Sequence, residues 1–366
     1  MQRAPALLVL LVSLLYLGIG PAVTHGVLAQ ETTAPGLLPQ GPHIAVLLPL
    51  QSPLVGRLAD AVRRGVLEAY RVQGESGLPV VVMACGEDPY EITQTYEHAV
   101  QTGARLIIGP LTRSAVSVVA SSYLVSVPTL ALNAPETDLP LPYNLYLFGM
   151  QVENEARQIA HLAAKQGRRR ALIVVSESPL SKRLSEAFRA EWVQGGNQVE
   201  DEFQYTTDIT SLSKLRDMLT VGSADMVFLA LDGKRARLIR SYLGLSMPVY
   251  ATSMVHTSEA PLANYELNGV YFVDMPWLLT PDHPAVLSYE RPDGAQANVE
   301  YQRFYALGID AYRIAQSLLK DDSQFQPLDG VTGYITMDSD RHFRREAIPA
   351  QFVQGETKVL PDETVR

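Results

Sequence analysis

Cysteine is almost absent from this chain: Cys85 is the only one in 366 residues. No internal disulfide can form, so stability must come from packing. Cys85 closes the apolar run Leu78-Pro-Val-Val-Val-Met-Ala-Cys85 and is expected as a buried strand residue. Positive charge is also in short supply. Thirty Lys and Arg against 39 Asp and Glu give a formal net charge of −9, which argues against a general nucleic-acid binder. After the N-terminal leader no apolar run is long enough to cross a bilayer, so no transmembrane segment is expected in the mature chain. Enzyme signatures are missing too. There is no G-x-S-x-G, no H-E-x-x-H and no Gly-rich phosphate loop. Ser211-Leu-Ser-Lys214 matches S-x-x-K, but no K-T-G follows and the segment fits a surface helix. The 7 histidines are scattered, and none pairs with a second ligand at metal spacing. Asp338-Ser-Asp340 fails as a calcium loop because His342 and Phe343 stand where an acceptor and a glycine are needed. No catalysis, no metal and no cofactor are therefore expected.

What is present begins with a leader. Ala6 to Gly20 is almost wholly apolar after a weakly basic start at Arg3, and Val27-Leu-Ala29 offers small residues for cleavage before Gln30. Residues 1–29 read as a secretory signal peptide. The core is short for a spanning anchor, and Pro21 follows it closely. Residues 30–42 read as a flexible leader. The signal region has no cysteine for lipid attachment, so export without a lipid anchor is expected.

The next stretch carries the fold. His43-Ile-Ala-Val-Leu-Leu-Pro-Leu50 is a continuous apolar run, as expected of a strand covered on both faces. Pro49 cannot donate to a ladder, so pairing ends there. Over Val55–Tyr70, Leu58, Val62, Val66 and Ala69 share one helical face. Strand, loop and helix then alternate along the chain. Further strands are predicted at 79–84, 105–109, 128–132, 144–149, 170–176, 199–205, 225–231, 247–253 and 268–274, with 199–205 at an edge. A long helix is predicted over Asn298–Lys320, where Gly308 allows close packing, and a hairpin from Gly333–Met337 and Arg344–Phe352. The pattern predicts an α/β protein of two doubly wound parallel-sheet lobes joined by a hinge. The expected division is 43–150 plus part of 281–325 for the first lobe, 151–280 plus part of 326–353 for the second, and 354–366 as a tail. Two such lobes form a clamp that can close on a ligand.

In parallel sheets ligands meet the loops at the carboxyl ends of strands. That rule nominates Gln51, Ser52, Leu111, Thr112, Asn133, Ser176, Asp232, Ser253 and Asp274 for the cleft. Taken singly, Thr112 and Asp232 are as well explained as helix caps, and only the shared location argues for a site. Tyr265, Tyr271, Phe272, Met275, Pro276 and Trp277 crowd one region, and aromatics and Met are enriched at protein contacts. Burial at the lobe junction suits Tyr271 and Phe272; Met275 and Trp277 are the partner-surface candidates.

Three first-lobe segments, His43–Leu50, Leu106-Ile-Ile-Gly-Pro-Leu-Thr112 and Pro128-Thr-Leu-Ala-Leu-Asn133, resemble type I periplasmic binding proteins. Asp225–Asp232, Pro248–Ser253, Asn268–Trp277, Arg303–Tyr312 and Asp329–Met337 resemble the LppC/LpoA family of penicillin-binding-protein activators. The likeness covers roughly residues 43–353. It implies a non-enzymatic periplasmic regulator that contacts a class A penicillin-binding protein and stimulates its transpeptidation. Members are typically outer-membrane lipoproteins, and the best-known ones add an N-terminal helical-repeat domain. This chain is expected to act without either, in the periplasm, with association with the outer membrane left open. The alternative is a receptor closing on a small polar ligand, such as an amino acid or a peptidoglycan fragment.

Overall fold

The computed structural model describes residues 40–361, except 75–76, 138–139, 207, 245, 260, 295–297 and 321–324. The expected signal peptide and most of the 30–42 leader lie outside the described residues. The first half runs β1 (His43–Leu48), α1 (Gly56–Gln73), β2 (Val80–Ala84), α2 (Pro89–Gln101), β3 (Ala104–Ile108), α3 (Arg113–Ala120), β4 (Thr129–Ala131) and β5 (Leu145–Leu147). The sheet is parallel, in the order β2-β1-β3-β4-β5. Every residue of β1 is buried because both faces are covered. Ile44, Val46 and Leu48 pack with Val62 and Val66 of α1, while Ala45 and Leu47 pack with Tyr96 and Val116 of α2 and α3. The period of two thus divides one apolar run between two cores. Asp88 starts α2 by accepting from the Tyr90 and Glu91 amides, with Pro89 in the first turn. Cys85 lies just past β2, and burial pushes its thiol up to about 11, as suits a packing residue.

The second half runs α4 (Val152–Lys165), β6 (Arg170–Val175), α5 (Pro179–Gln194), β7 (Gln198–Gln204), α6 (Ile209–Val221), β8 (Met226–Leu229), α7 (Gly233–Arg240), β9 (Val249–Ala251), α8 (Pro261–Asn264) and β10 (Val270–Asp274). Then come α9 (Pro276–Leu279), α10 (Pro284–Leu287), α11 (Val299–Leu319), β11 (Leu328–Asp329), β12 (Tyr334–Met337), β13 (Phe343–Glu346), β14 (Ile348–Val353) and β15 (Glu356–Val359). The larger sheet has the order β15-β14-β10-β9-β8-β6-β7, parallel from β7 to β10, with polar β7 at its edge as expected.

Helix α11 returns to the first sheet and lies against α1. A Cβ on Gly65 would come within 1.9 Å of the Tyr305 carbonyl oxygen, and one on Gly308 within 2.1 Å of the Val62 carbonyl oxygen. The two helices meet backbone to backbone, and only glycine permits that. Gly308→Ala is therefore expected to lower stability by about 1–3 kcal/mol through overpacking, read as a lower urea midpoint at unchanged slope.

The tail departs from expectation. Arg344–Phe352 is not one hairpin arm. It breaks at Ala347: before it β13 pairs with β12, and after it β14 joins β10 antiparallel. Ala347 sits between the two ladders, and its amide and carbonyl are both satisfied by the side chain of Gln158, at 3.1 and 2.6 Å. The 354–366 segment is not all tail either, for β15 forms the sheet edge. It folds back through Gln354 (φ 55°) and Gly355 (φ 80°), a two-residue turn with both φ positive. The small sheet β11-β12-β13 covers the end of the first, where Phe343 meets Phe148 edge-on. The chain crosses between the two large sheets after β5, after β10 and after β13. Met275 and Trp277, expected at a partner surface, are both 0% exposed. The short helix α9 turns them into the core beside α11, with the Trp277 ring 5.5 Å from that of Tyr305.

Candidate functional site

The three crossings meet at a cleft, and ion pairs hold them together. At the end of β10, Asp274 is buried and receives Arg303 of α11 at 2.5 Å and His256 at 2.8 Å. Arg303 also donates to the carbonyls of Ser253 and His256, both at 3.0 Å. Burial alone would raise the Asp274 pKa; the charge of Arg303 and the bonds from His256 and Arg303 outweigh it and bring the carboxyl down to about 2. A second pair lies beside it. Glu155 of α4 and Arg345 of β13 meet at 2.7 Å, with side chains 3% and 4% exposed. Glu155 also accepts from the Ser253 amide at 3.0 Å. Ser253 thus presents its amide to one pair and its carbonyl to the other. Farther along α11, buried Asp310 accepts from the amides of Val331 and Thr332 and from the Thr332 hydroxyl. The crossing region is a continuous polar network wrapped in apolar side chains.

Above this network lies a cavity of about 560 Å³, within the size range of small-molecule sites. Its wall is mixed: Met150, Phe304 and Leu180 are apolar, whereas Arg113, Asp232 and Arg303 are charged. A neighbouring cavity of about 700 Å³ shares Arg113, Gln151, Glu153 and Arg183 with it, so the groove continues outward between the lobes. Arg183 is paired with Glu153 at 2.7 Å, and Arg113 donates to the Pro135 carbonyl at 2.6 Å.

Of the nine residues nominated from sequence, Asn133, Asp232 and Ser253 line the cavity. Asp274 stands behind it and holds two lining residues, Arg303 and His256. The other five do not meet there. Gln51 is exposed, and the Ser52 hydroxyl donates to Glu87 while accepting from the amides of Leu54 and Val55. Leu111 is part of the core. Thr112 caps α3 through the Ala115 amide. Ser176 is buried, its amide bound to Ser181. Asp232 also caps α7 and pairs with Arg235, so its cleft position and its cap coexist. Arg113, His256 and Arg303 were not nominated. An arginine in the first turns of a helix reads as solvated in sequence, and only the fold shows Arg303 aimed at Asp274. Among the described residues no cluster of three or more His, Cys, Asp or Glu could hold a metal ion, and no helix is long and apolar enough to cross a membrane.

A family model described as "LppC putative lipoprotein" matches residues 38–355. A protein of Erwinia tasmaniensis named penicillin-binding protein activator LpoA is 27% identical, over 91% of this chain and 57% of its own length. One of the same name from Yersinia pseudotuberculosis is 28% identical, over 70% of this chain and 46% of its own. The chain spans about half the length of the curated relatives it matches. Among solved structures, one from Chromobacterium violaceum called "a putative branched-chain amino acid ABC transporter" is 37% identical, with a TM-score of 0.73, covering 84% of this chain and 99% of that one. The LpoA C-domain of Haemophilus influenzae, called a regulator of PBP1A, has a TM-score of 0.74 at 21% identity, covering 87% and 100%. That likeness shows the fold, two α/β lobes built on parallel sheets.

Proposed function

The chain belongs to the LppC family, and on that premise we propose that it is a non-enzymatic periplasmic regulator that stimulates a class A penicillin-binding protein by direct contact. The observation that carries this reading is the run of relatives named as penicillin-binding protein activators, aligned across most of the chain. The clamp supplies a stiff body for such contact, because ion pairs stitch the crossings between its sheets. The purified chain is expected to associate with a class A penicillin-binding protein and raise its peptide crosslinking with no small molecule added. A chain that neither associates with such a synthase nor changes its crosslinking would end this reading.

A second reading rests on the 560 Å³ cavity and on the 37% identical structure, whose name points to branched-chain amino acids. In it, the lobes close on an amino acid, with Arg113, Asp232 and Ser253 as contacts. A panel of free amino acids is expected to include one that raises the melting temperature, by about 2.7 kcal/mol of stabilisation at a hundredfold excess over Kd. Asp232→Ala should weaken that effect. A panel with no melting shift would remove this reading and leave the first intact.

A further inference from the structure

Helix α7 has two ends with different surroundings. Its N-terminal cap, Asp232, lines the cleft between the lobes. Its C-terminal turn, with Arg237 and Arg240, lines a separate cavity of about 560 Å³ on the outer side of the second lobe. The rest of that wall is largely aromatic and aliphatic: Tyr205, Leu212, Leu238, Tyr242 and Tyr265. Arg240 is 5% exposed, and among the described residues no carboxylate pairs with it. Its two terminal nitrogens donate to the carbonyls of Gly244 and Asn268, at 2.7 and 3.1 Å, while Nε has no partner. Neutral carbonyls leave the positive charge unbalanced. Arg237, one turn earlier, meets the exposed carboxylate of Glu259 at 3.5 Å and the Thr257 hydroxyl among the described residues. Glu266 also lines the cavity, but its side chain is exposed. At the rim, Leu238 is 53% and Tyr265 51% exposed, so apolar surface stays in water beside a buried cation.

A buried guanidinium is a strong receiver of carboxylates, because its fork matches their geometry and the low dielectric strengthens the contact. We propose that this outer cavity binds a small carboxylate carrying an apolar or aromatic group. Arg240 and Arg237 hold the carboxylate, and the apolar part lies against Leu212, Leu238 and Tyr265. The cavity volume admits a molecule the size of an acylated amino acid. This site is distinct from the cleft and stands or falls without either reading of it.

The matched probes are N-acetyl-L-phenylalanine and its uncharged primary amide, titrated calorimetrically into the full chain. The carboxylate is expected to bind at millimolar concentration or below, and the amide about tenfold more weakly. Arg240→Gln should abolish the difference between them. Arg240 also ties two loops together, so Leu238→Glu provides the control. It adds a like charge at the exposed rim and should weaken the carboxylate about tenfold at an unchanged melting temperature. Three results would overturn the proposal. One is no binding of the carboxylate. Another is equal binding of the two probes. The third is binding that Arg113→Ala removes and Leu238→Glu leaves alone, which would place the probe in the cleft.

Discussion

Arg345→Met is expected to destabilise the folded chain by about 3–5 kcal/mol, because it strands a carboxylate that the fold has removed from water. Glu155 and Arg345 are 3% and 4% exposed and 2.7 Å apart. Without the guanidinium, Glu155 keeps the Ser253 amide as a donor but loses its counter-charge. The double variant Glu155→Leu with Arg345→Met should recover much of the loss, since replacing both ions removes the desolvation penalty along with the attraction. A surface pair offers the contrast. Arg64 and Asp60 are 47% and 32% exposed, and Arg64→Ala should cost below about 1 kcal/mol. Urea unfolding of the four proteins checks all of this. A loss under 1 kcal/mol for Arg345→Met would mean that water or a neighbour satisfies Glu155. The position gives the number meaning beyond stability. Arg345 lies in the small sheet and Glu155 in the first helix after the β5 crossing, so the pair fastens two crossings to each other.

Much of this architecture was legible because buried parallel strands leave a plain mark. The run Ile44–Leu48 has no polar residue, and a strand covered on both faces needs none. Caps were equally plain, as Asp88 before Pro89 shows. What was illegible depends on partners far along the chain. Nothing near Arg345 in sequence says that it meets Glu155, 190 residues away. The break at Ala347 is invisible without Gln158, which replaces its ladder bonds. The turn at Gln354-Gly355 leaves little mark in sequence, because glutamine is a weak signal for a positive φ. Trp277, with Pro276 beside it and Pro281 close by, reads as hard to bury completely, and a single turn of helix buries it. In the cleft, the rule of strand ends nominates nine residues, of which three line the cavity. Ser52, Thr112 and Ser176 sit at such ends, but local loops and caps take up their hydrogen-bonding groups. Asn133, Asp232 and Ser253 line the cavity because their loops face the opposite lobe.

Acid is expected to loosen the junction at Asp274 before the parallel sheets themselves fail. Against the cost of burial, Arg303 and His256 bring its carboxyl down to about 2 in the folded chain, against about 3.9 in an unfolded one. A folded value below the unfolded one stabilises at pH above about 4, and that contribution is lost as the pH falls towards 2. The shift corresponds to roughly 2–3 kcal/mol for this buried group. In Asp274→Asn the contribution is absent at every pH, and at neutral pH the variant should be less stable by about 3–5 kcal/mol, since Arg303 loses its hydrogen-bonded counter-charge. The gap between the two proteins should therefore narrow by roughly 2 kcal/mol between pH 5 and pH 2, measured as urea unfolding free energies. Parallel curves over that range would show that Asp274 carries no depressed pKa. The same variant also tests the cleft. Arg303 fixes the carbonyls of Ser253 and His256, and all three residues line the cavity. Releasing Arg303 frees that wall, so any ligand held there should bind more weakly to Asp274→Asn. A partner that reads only the outer face of the second lobe should not notice the change.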